Sequence, residues 1–386
     1  RWYLHLYFTF ESKNSKIKRC LDAWTLVSLF LDKTDQIQIK RERHTHTHTE
    51  MRRNVSSSNL SSGDLQKLQQ SKSALRLSQL EGGAVGSPLL ENTTIQRHRN
   101  SQRIVKLKRG TCSYCIYGAP IDNSKGLIIC IHGLTLASYV FTDLTTYFQS
   151  KWTILTFDLF GRGSSTLNNS NNILDDNFYV NQLQELLQAL DLWDRRVTLL
   201  GCSLGGGIAV SFCAQFPEKV ERMILVAPVG LMPENALPWV ARLHSSFGCL
   251  GRIAHYFLER CCVGCVEQYL VDSFQYSRWA EFFLEDVKQS HFIANYWNTL
   301  KTFPFSDMQN VYRRVRDTSD CDILVIWGKE DRIVPFDETS MSVMKSLPRA
   351  KLVSWKDVGH EITVGDGGKL VTSWMNQAIS DFLCGR

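Results

Sequence analysis

The sequence predicts an α/β protein with a mostly parallel eight-stranded sheet and helices on both faces. Three observations carry this. Short apolar runs recur along residues 103–386, several of them continuous, as strands covered on both faces require. Helical patterns fall between the runs, and such alternation marks a parallel sheet. One run, Val197–Leu200, leads into Gly201-Cys202-Ser203-Leu204-Gly205, a serine between glycines where strand becomes helix.

In chain order, Ile104–Lys108 and Cys112–Tyr117 form a strand pair around Gly110. Leu127–Ile131 follows as a fully apolar strand, then a helix over Phe141–Phe148 and a strand over Thr153–Phe157. Val180–Leu192 repeats apolar residues at helical spacing before the strand Val197–Leu200. Gly205–Gln215 is apolar on nearly every side, the mark of a buried helix. Met223–Ala227 and Ile323–Trp327 are further strands, Thr339–Leu347 a helix, Lys351–Trp355 the last strand and Leu370–Leu383 the closing helix. The core therefore comprises residues 103–230 and 316–386. Residues 231–315 break the rhythm with an insertion crowded with aromatics, among them Trp239, Tyr256, Trp279, Phe282, Phe283 and Trp297. It reads as a helical cap over the C-terminal strand ends, where open α/β sheets bind ligands. Most of its rings pack the cap onto the core, and a few line an apolar pocket beneath it.

The 386 residues carry a net charge of +6, unevenly spread. Residues 1–110 hold 20 Lys and Arg against 9 Asp and Glu, while residues 111–386 hold 24 against 29. The core is acidic, which excludes a basic nucleic-acid surface on it. Residues 1–50 contain no methionine, and His-Thr-His-Thr-His-Thr at 44–49 is what a CA-dinucleotide repeat encodes. They read as leader sequence or a gene-model extension before a native start at Met51. Residues 51–102, rich in Ser and Gln with few aromatics, read as a disordered tail. With no secretory signal, a cytoplasmic location is expected; the basic, Ser-rich stretch after Met51 makes a mitochondrial location the alternative. No apolar run reaches the ~18 residues that span a bilayer. Cys112-x-x-Cys115 and Cys262-x-x-Cys265 have zinc-like spacing. The first pair lies in a strand and the second in an aromatic-rich helical segment, so neither a metal nor a cofactor is expected.

A turn as tight as that at Ser203 throws the hydroxyl clear of the backbone, and the flanking glycines remove clashing Cβ atoms. The Leu204 amide, at the helix start, can face a developing negative charge. A serine nucleophile needs a base, and the base needs a group to orient it. Of ten histidines, His5, His44, His46, His48 and His98 belong to the tail, and His244, His255 and His291 to the insertion. His360, in the loop after the last strand, is the base candidate. His132, between the strand Leu127–Ile131 and Gly133, suits an oxyanion loop better than a base. Glu330 and Asp331, after the strand Ile323–Trp327, are the candidate acids at the same sheet edge.

Four motifs together with His360 resemble the α/β-hydrolase superfamily over residues 103–386. They are Ile131-His132-Gly133-Leu134, Asp158-Leu159-Phe160-Gly161-Arg162-Gly163, Gly201-Cys202-Ser203-Leu204-Gly205-Gly206 and Trp327-Gly328-Lys329-Glu330-Asp331-Arg332-Ile333-Val334-Pro335. Within it the chain is most similar to the capped serine hydrolases, which include monoacylglycerol lipases, carboxylesterases and meta-cleavage carbon–carbon hydrolases. The resemblance implies a triad of Ser203, Asp331 and His360, its Ser…Asp…His order favouring Asp331 over Glu330. It implies an oxyanion hole from the backbone amides of Leu134 and Leu204, carried by the loop of His132 and Gly133. It also implies that Asp158–Gly163 is a structural turn, with Arg162 in a scaffold ion pair. Serine at the elbow separates the chain from aspartate-nucleophile epoxide hydrolases and haloalkane dehalogenases. Gly133-Leu134-Thr135 departs from the glycine-rich loop of hormone-sensitive-type lipases, and His360-Glu361-Ile362 lacks the aromatic neighbours common in meta-cleavage hydrolases.

The expected reaction is hydrolysis of a carboxylic ester of an apolar or lipid-like substrate through an acyl-enzyme on Ser203. An acyltransferase or a carbon–carbon bond hydrolase would use the same triad, whereas an apolar-ligand receptor or scaffold would use the pocket alone. The expected partner is a small apolar ester or lipid, with no nucleic acid, and peripheral membrane contact through the cap is a further option. The sequence carries no signal for oligomeric state.

Overall fold

The computed structural model describes residues 97–169, 172–236, 279–289, 291–364 and 368–385. The chain divides into two compact units between Thr93 and Thr94, and all described residues belong to the second. In that unit nine described strands form one sheet. They are β1 (Arg103–Leu107), β2 (Gly110–Gly118), β3 (Leu127–Ile131), β4 (Thr153–Phe157), β5 (Thr166–Leu167), β6 (Val197–Cys202), β7 (Val220–Val226), β8 (Asp322–Gly328) and β9 (Lys351–Trp355). Their order is β1-β2-β4-β3-β6-β7-β8-β9, with the two-residue β5 beside β2. β1, β4 and β5 run antiparallel to β2, and every other pairing is parallel. The eight expected strands are all present, and β5 is too short to leave a pattern. Every residue of β3, β4 and β6 is buried, which is why these read as continuous apolar runs.

The helices are α1 (Thr142–Phe148), α2 (Asp176–Ala189), α3 (Leu204–Gln215), α4 (Ala280–Val287), α5 (Phe292–Thr302), α6 (Gln309–Thr318), α7 (Phe336–Ser346) and α8 (Gly368–Leu383). α2 starts earlier than its apolar periodicity because the Asp175 side chain accepts the Phe178 amide at 2.8 Å, capping the first turn. α3 is buried from Leu204 to Ala214, as a helix apolar all round must be.

Two boundaries differ from the sequence reading. The expected cap limit at residue 315 falls inside α6, which packs on α3 and belongs with the core. Tyr312 and Val315 are its buried residues, and the Tyr312 hydroxyl donates to Val229 O at 2.9 Å. Few apolar residues among many charges hid this helix. At the other end, residues 97–101 are helical, upstream of the expected start at 103. His98, assigned to the tail, is buried instead, with Nδ1 2.5 Å from the Tyr117 hydroxyl and Nε2 3.1 Å from Ser138 Oγ. The polar run around it gives no apolar signal.

Within the insertion, Trp239, Tyr256, His244, His255, Cys262 and Cys265 lie outside the described residues. Trp279, Phe282, Phe283, Phe292 and Trp297 are buried and serve packing. Trp279 and Phe282 lean against Tyr139 with ring centres 5.7 and 5.8 Å away. No described helix is long and apolar enough to cross a membrane.

The topology places the site. From β3 the chain moves to β4 on one side, while β6 lies on the other. The chain thus leaves the C-terminal ends of β3 and β6 in opposite directions, and open α/β sheets bind ligands in such a crevice. Ile131 pairs with Gly201 there.

Candidate active site

β6 ends at Cys202 and α3 begins at Leu204, so Ser203 alone makes the turn. Its φ of 55° and ψ of −115° place a non-glycine residue where backbone strain costs about 1–3 kcal/mol. The surroundings hold it there. Ser203 N donates to Val226 O at 2.8 Å, and Ser203 O accepts from the amides of Gly206, Val229 and Gly207 at 2.9, 3.2 and 3.3 Å. Gly205 is demanded by close approach, because a Cβ there would stand 2.1 Å from Ile131 O. Backbone lies directly on backbone between α3 and β3.

Asp331 sits three residues beyond β8 and is buried. Its Oδ1 accepts the amides of Ile333 and Val334, each at 2.9 Å, which fixes the carboxylate plane. Its Oδ2 lies 2.7 Å from His360 Nδ1. A neutral imidazole that donates from Nδ1 keeps Nε2 as its proton acceptor. The two loops are tied by main chain as well, Lys329 N to Trp355 O at 2.8 Å and Glu330 N to Val358 O at 2.9 Å. Glu330 is exposed and contributes its amide to this tie. Of the two candidate acids, Asp331 is the one that meets His360.

Residues 132–134 leave β3 beside the elbow, where a Cβ on Gly133 would stand 3.5 Å from Ser203 Cβ. His132 is fully buried. Its Nε2 accepts the Leu159 amide at 2.9 Å, so the proton sits on Nδ1, 2.8 Å from Gly133 O. Burial pushes this ring down to about 4, against the opposing pull of Asp158, so it stays neutral. The Gly133 carbonyl and the Leu134 amide share one trans peptide plane and point opposite ways. Holding the carbonyl therefore turns the Leu134 N–H away from His132. Leu204 N is the first amide of α3 and has no acceptor within the helix. Among the described residues, neither the Leu134 nor the Leu204 amide donates to another protein group.

The Asp158–Gly163 turn braces this loop. Asp158 is fully buried; its Oδ1 accepts from Ser138 N at 2.9 Å and Ser138 Oγ at 2.5 Å, and its Oδ2 from Ser164 N at 2.9 Å and Gln102 Nε2 at 3.2 Å. Among the described residues Arg162 does not form the expected ion pair. Its Nε donates to Leu134 O at 2.6 Å, and its two terminal nitrogens donate to Gly161 O at 2.9 Å and Thr299 Oγ1 at 3.5 Å. The guanidinium carbon lies 5.3 Å from the Phe292 ring centre and 5.9 Å from that of Tyr296. Asp158, the acid in the same turn, is already filled by four donors, so carbonyls and ring faces take the place of an anion.

Sequence reasoning also missed Asp286 on α4. It is buried with the Tyr139 hydroxyl donating to it at 3.3 Å. Burial pushes its carboxyl up to about 7, with Asp158 adding and Arg99 opposing. Cys112 and Cys115 are buried thiols that burial raises to about 12 and about 11, far from the reactive range.

A family profile described as alpha/beta hydrolase fold matches residues 126–364. The 2-hydroxy-6-oxononadienedioate/2-hydroxy-6-oxononatrienedioate hydrolase of Comamonas testosteroni is 27% identical over 171 residues, 42% of this chain and 55% of that protein. A serine hydrolase-like protein of Danio rerio is 30% identical over 106 residues, 28% of this chain and 32% of that protein. An uncharacterised Mycobacterium tuberculosis protein is 31% identical over 147 residues, 38% of this chain and 37% of that protein. The chain thus spans about a third to just over half the length of these curated relatives. Among solved structures, a membrane phospholipase A, a bacterial virulence factor, shares the fold with a TM-score of 0.57 at 19% identity, covering 83% of this chain and all of that one. A thermophilic esterase from Thermogutta terrifontis does so at 0.56 and 16% identity, covering 73% of this chain and 98% of that one. With the profile spanning more than half of its residues, and with this sheet order and elbow, the chain belongs to the α/β-hydrolase fold family.

Proposed function

We propose that the chain is a serine hydrolase that cleaves a carboxylic ester of an apolar or lipid-like molecule. Ser203, His360 and Asp331 form its triad, and the Leu134 and Leu204 amides its oxyanion hole. The observation that carries this reading is the 2.7 Å contact of Asp331 Oδ2 with His360 Nδ1 at the sheet edge that also holds the strained Ser203.

In this mechanism His360 Nε2 takes the hydroxyl proton as Ser203 Oγ attacks the acyl carbonyl. Asp331 stabilises the imidazolium that forms, and the two amides receive the oxyanion. The proton then passes from Nε2 to the leaving alcohol. Water, deprotonated by Nε2, attacks the acyl-enzyme and frees the acid. The apolar substrate class, and a peripheral membrane contact through the cap, rest on the aromatic content of residues 231–315. The esterase and phospholipase among the fold neighbours are in keeping with it.

Turnover of short and medium acyl p-nitrophenyl esters, lost in Ser203→Ala, is the expected result; undiminished turnover in that variant would end the proposal. One observation favours a second reading, carbon–carbon bond hydrolysis: the identity to the Comamonas hydrolase. Faster turnover of 2-hydroxy-6-oxo-6-phenylhexa-2,4-dienoate than of any ester would put that reading first.

A further inference from the structure

Arg162 is a buried guanidinium that, among the described residues, has no carboxylate within ion-pair distance. Taking such a charge out of water is costly, and burial holds its pKa below the ordinary arginine value. What the side chain does touch is informative. Its shortest bond, 2.6 Å, goes to the carbonyl of Leu134, the residue whose amide is the candidate oxyanion donor. Its other end meets the cap helix α5 at Thr299 Oγ1 and lies near the rings of Phe292 and Tyr296. The Thr299 hydroxyl gives its proton to Asn295 O at 2.8 Å, so it can accept from Arg162 and from the Tyr179 hydroxyl, 2.9 Å away. α5 sits hard on the same turn, since a Cβ on Gly161 would stand 2.5 Å from Asn295 Nδ2.

Two peptide planes therefore fix the Leu134 backbone. His132 holds the Gly133 carbonyl on the N-terminal side, and Arg162 holds the Leu134 carbonyl on the C-terminal side. His132 is bound within the core, whereas Arg162 is shared between the core and α5. We infer that Arg162 is a positioning residue that locks Leu134 in its oxyanion-receiving orientation, and that α5 must be seated for the lock to hold. The inference rests on the proposed function, in which the Leu134 amide receives the oxyanion. Its consequence is that movement of the cap changes transition-state stabilisation as well as access to the site.

The test measures kcat and KM on a p-nitrophenyl ester for the full chain, its Arg162→Met, Arg162→Lys and Thr299→Val variants. Turnover is expressed per fluorophosphonate-titrated site, which removes any loss of folded protein from the comparison. Arg162→Met is expected to lower kcat about 100-fold, the scale of losing one oxyanion donor, with KM changed less than about threefold. Affinity for an alkyl boronic acid, whose tetrahedral adduct mimics the oxyanion, should fall in parallel. Arg162→Lys should recover part of the loss, and Thr299→Val, which keeps the arginine and frees only its α5 end, should lower kcat about fivefold. If Arg162→Met fails to fold, the Lys and Val variants carry the same decision. Turnover per titrated site within twofold of wild type in every variant that folds would overturn the inference and leave the triad reading standing. A wild type that neither turns over esters nor titrates would overturn both.

Discussion

The elbow at Ser203 and the loop of residues 132–134, the proposed oxyanion loop, stand side by side at the ends of β6 and β3, yet they are held by different means. The elbow is held by main chain: four hydrogen bonds to Ser203 and glycines that let α3 lie on β3. The loop is held by side chains from distant parts of the chain: His132 to Leu159, Arg162 to Leu134 and Thr299, and Asp158 to Ser138. A part fixed by backbone contact has little freedom to move without unfolding. One fixed by side chains can be tuned or released, and here one of its anchors reaches the cap.

The comparison can be broken from either side. The largest effect is expected at the elbow itself, where Ser203→Ala should lower kcat by about 10⁶-fold while the fold persists. Asp331→Asn should lower kcat by about 10⁴-fold through loss of the required His360 tautomer, with KM little changed. On the loop, His132→Ala should cut kcat about 100-fold and leave a folded protein by circular dichroism. Gly205→Ala should do the reverse. It forces a Cβ against Ile131 O and should lower stability by about 3 kcal/mol, read as a loss of soluble protein or of Tm before any change in turnover per titrated site. Equal damage to fold and turnover in both variants would erase the distinction.

The smallest effect concerns the cap contact and is read by pH. Asp286 is neutral in the folded protein up to about 7, but ionises near 4 when exposed. Between those values the folded state binds more protons, so this residue makes stability fall as pH rises from about 4 to 7. Asp286→Asn should flatten that decline and raise Tm at pH 8 by a few degrees. His132 acts with the opposite sign. Its folded value of about 4 lies below the unfolded value, so stability is lost as pH falls from about 6.5 towards 4.

What was legible in the sequence follows the same division. Gly201, Ser203 and Gly205 fall within five consecutive residues, so the elbow is legible from local spacing. Asp331 and His360 are legible because each follows a strand of the regular series, the buried β8 and the half-exposed β9, and the Ser…Asp…His order of the resemblance separates Asp331 from Glu330. The ion pair expected of Arg162 does not form among the described residues, where its hydrogen-bond partners lie at positions 134, 161 and 299 and none is an acid. His98 was misplaced because a buried polar residue leaves no periodic signal. α6 was missed for a related reason: it buries Tyr312 and Val315 and exposes charge on most of its remaining surface.

The central claim is that His360, aligned by Asp331, activates Ser203. It is tested most directly by reacting the full chain with a fluorophosphonate and locating the adduct by peptide mass spectrometry. The account predicts one adduct per chain, on Ser203, forming at least about 100 times more slowly in His360→Ala and Asp331→Asn. An unlabelled Ser203, or labelling at an undiminished rate in those two variants, would contradict it.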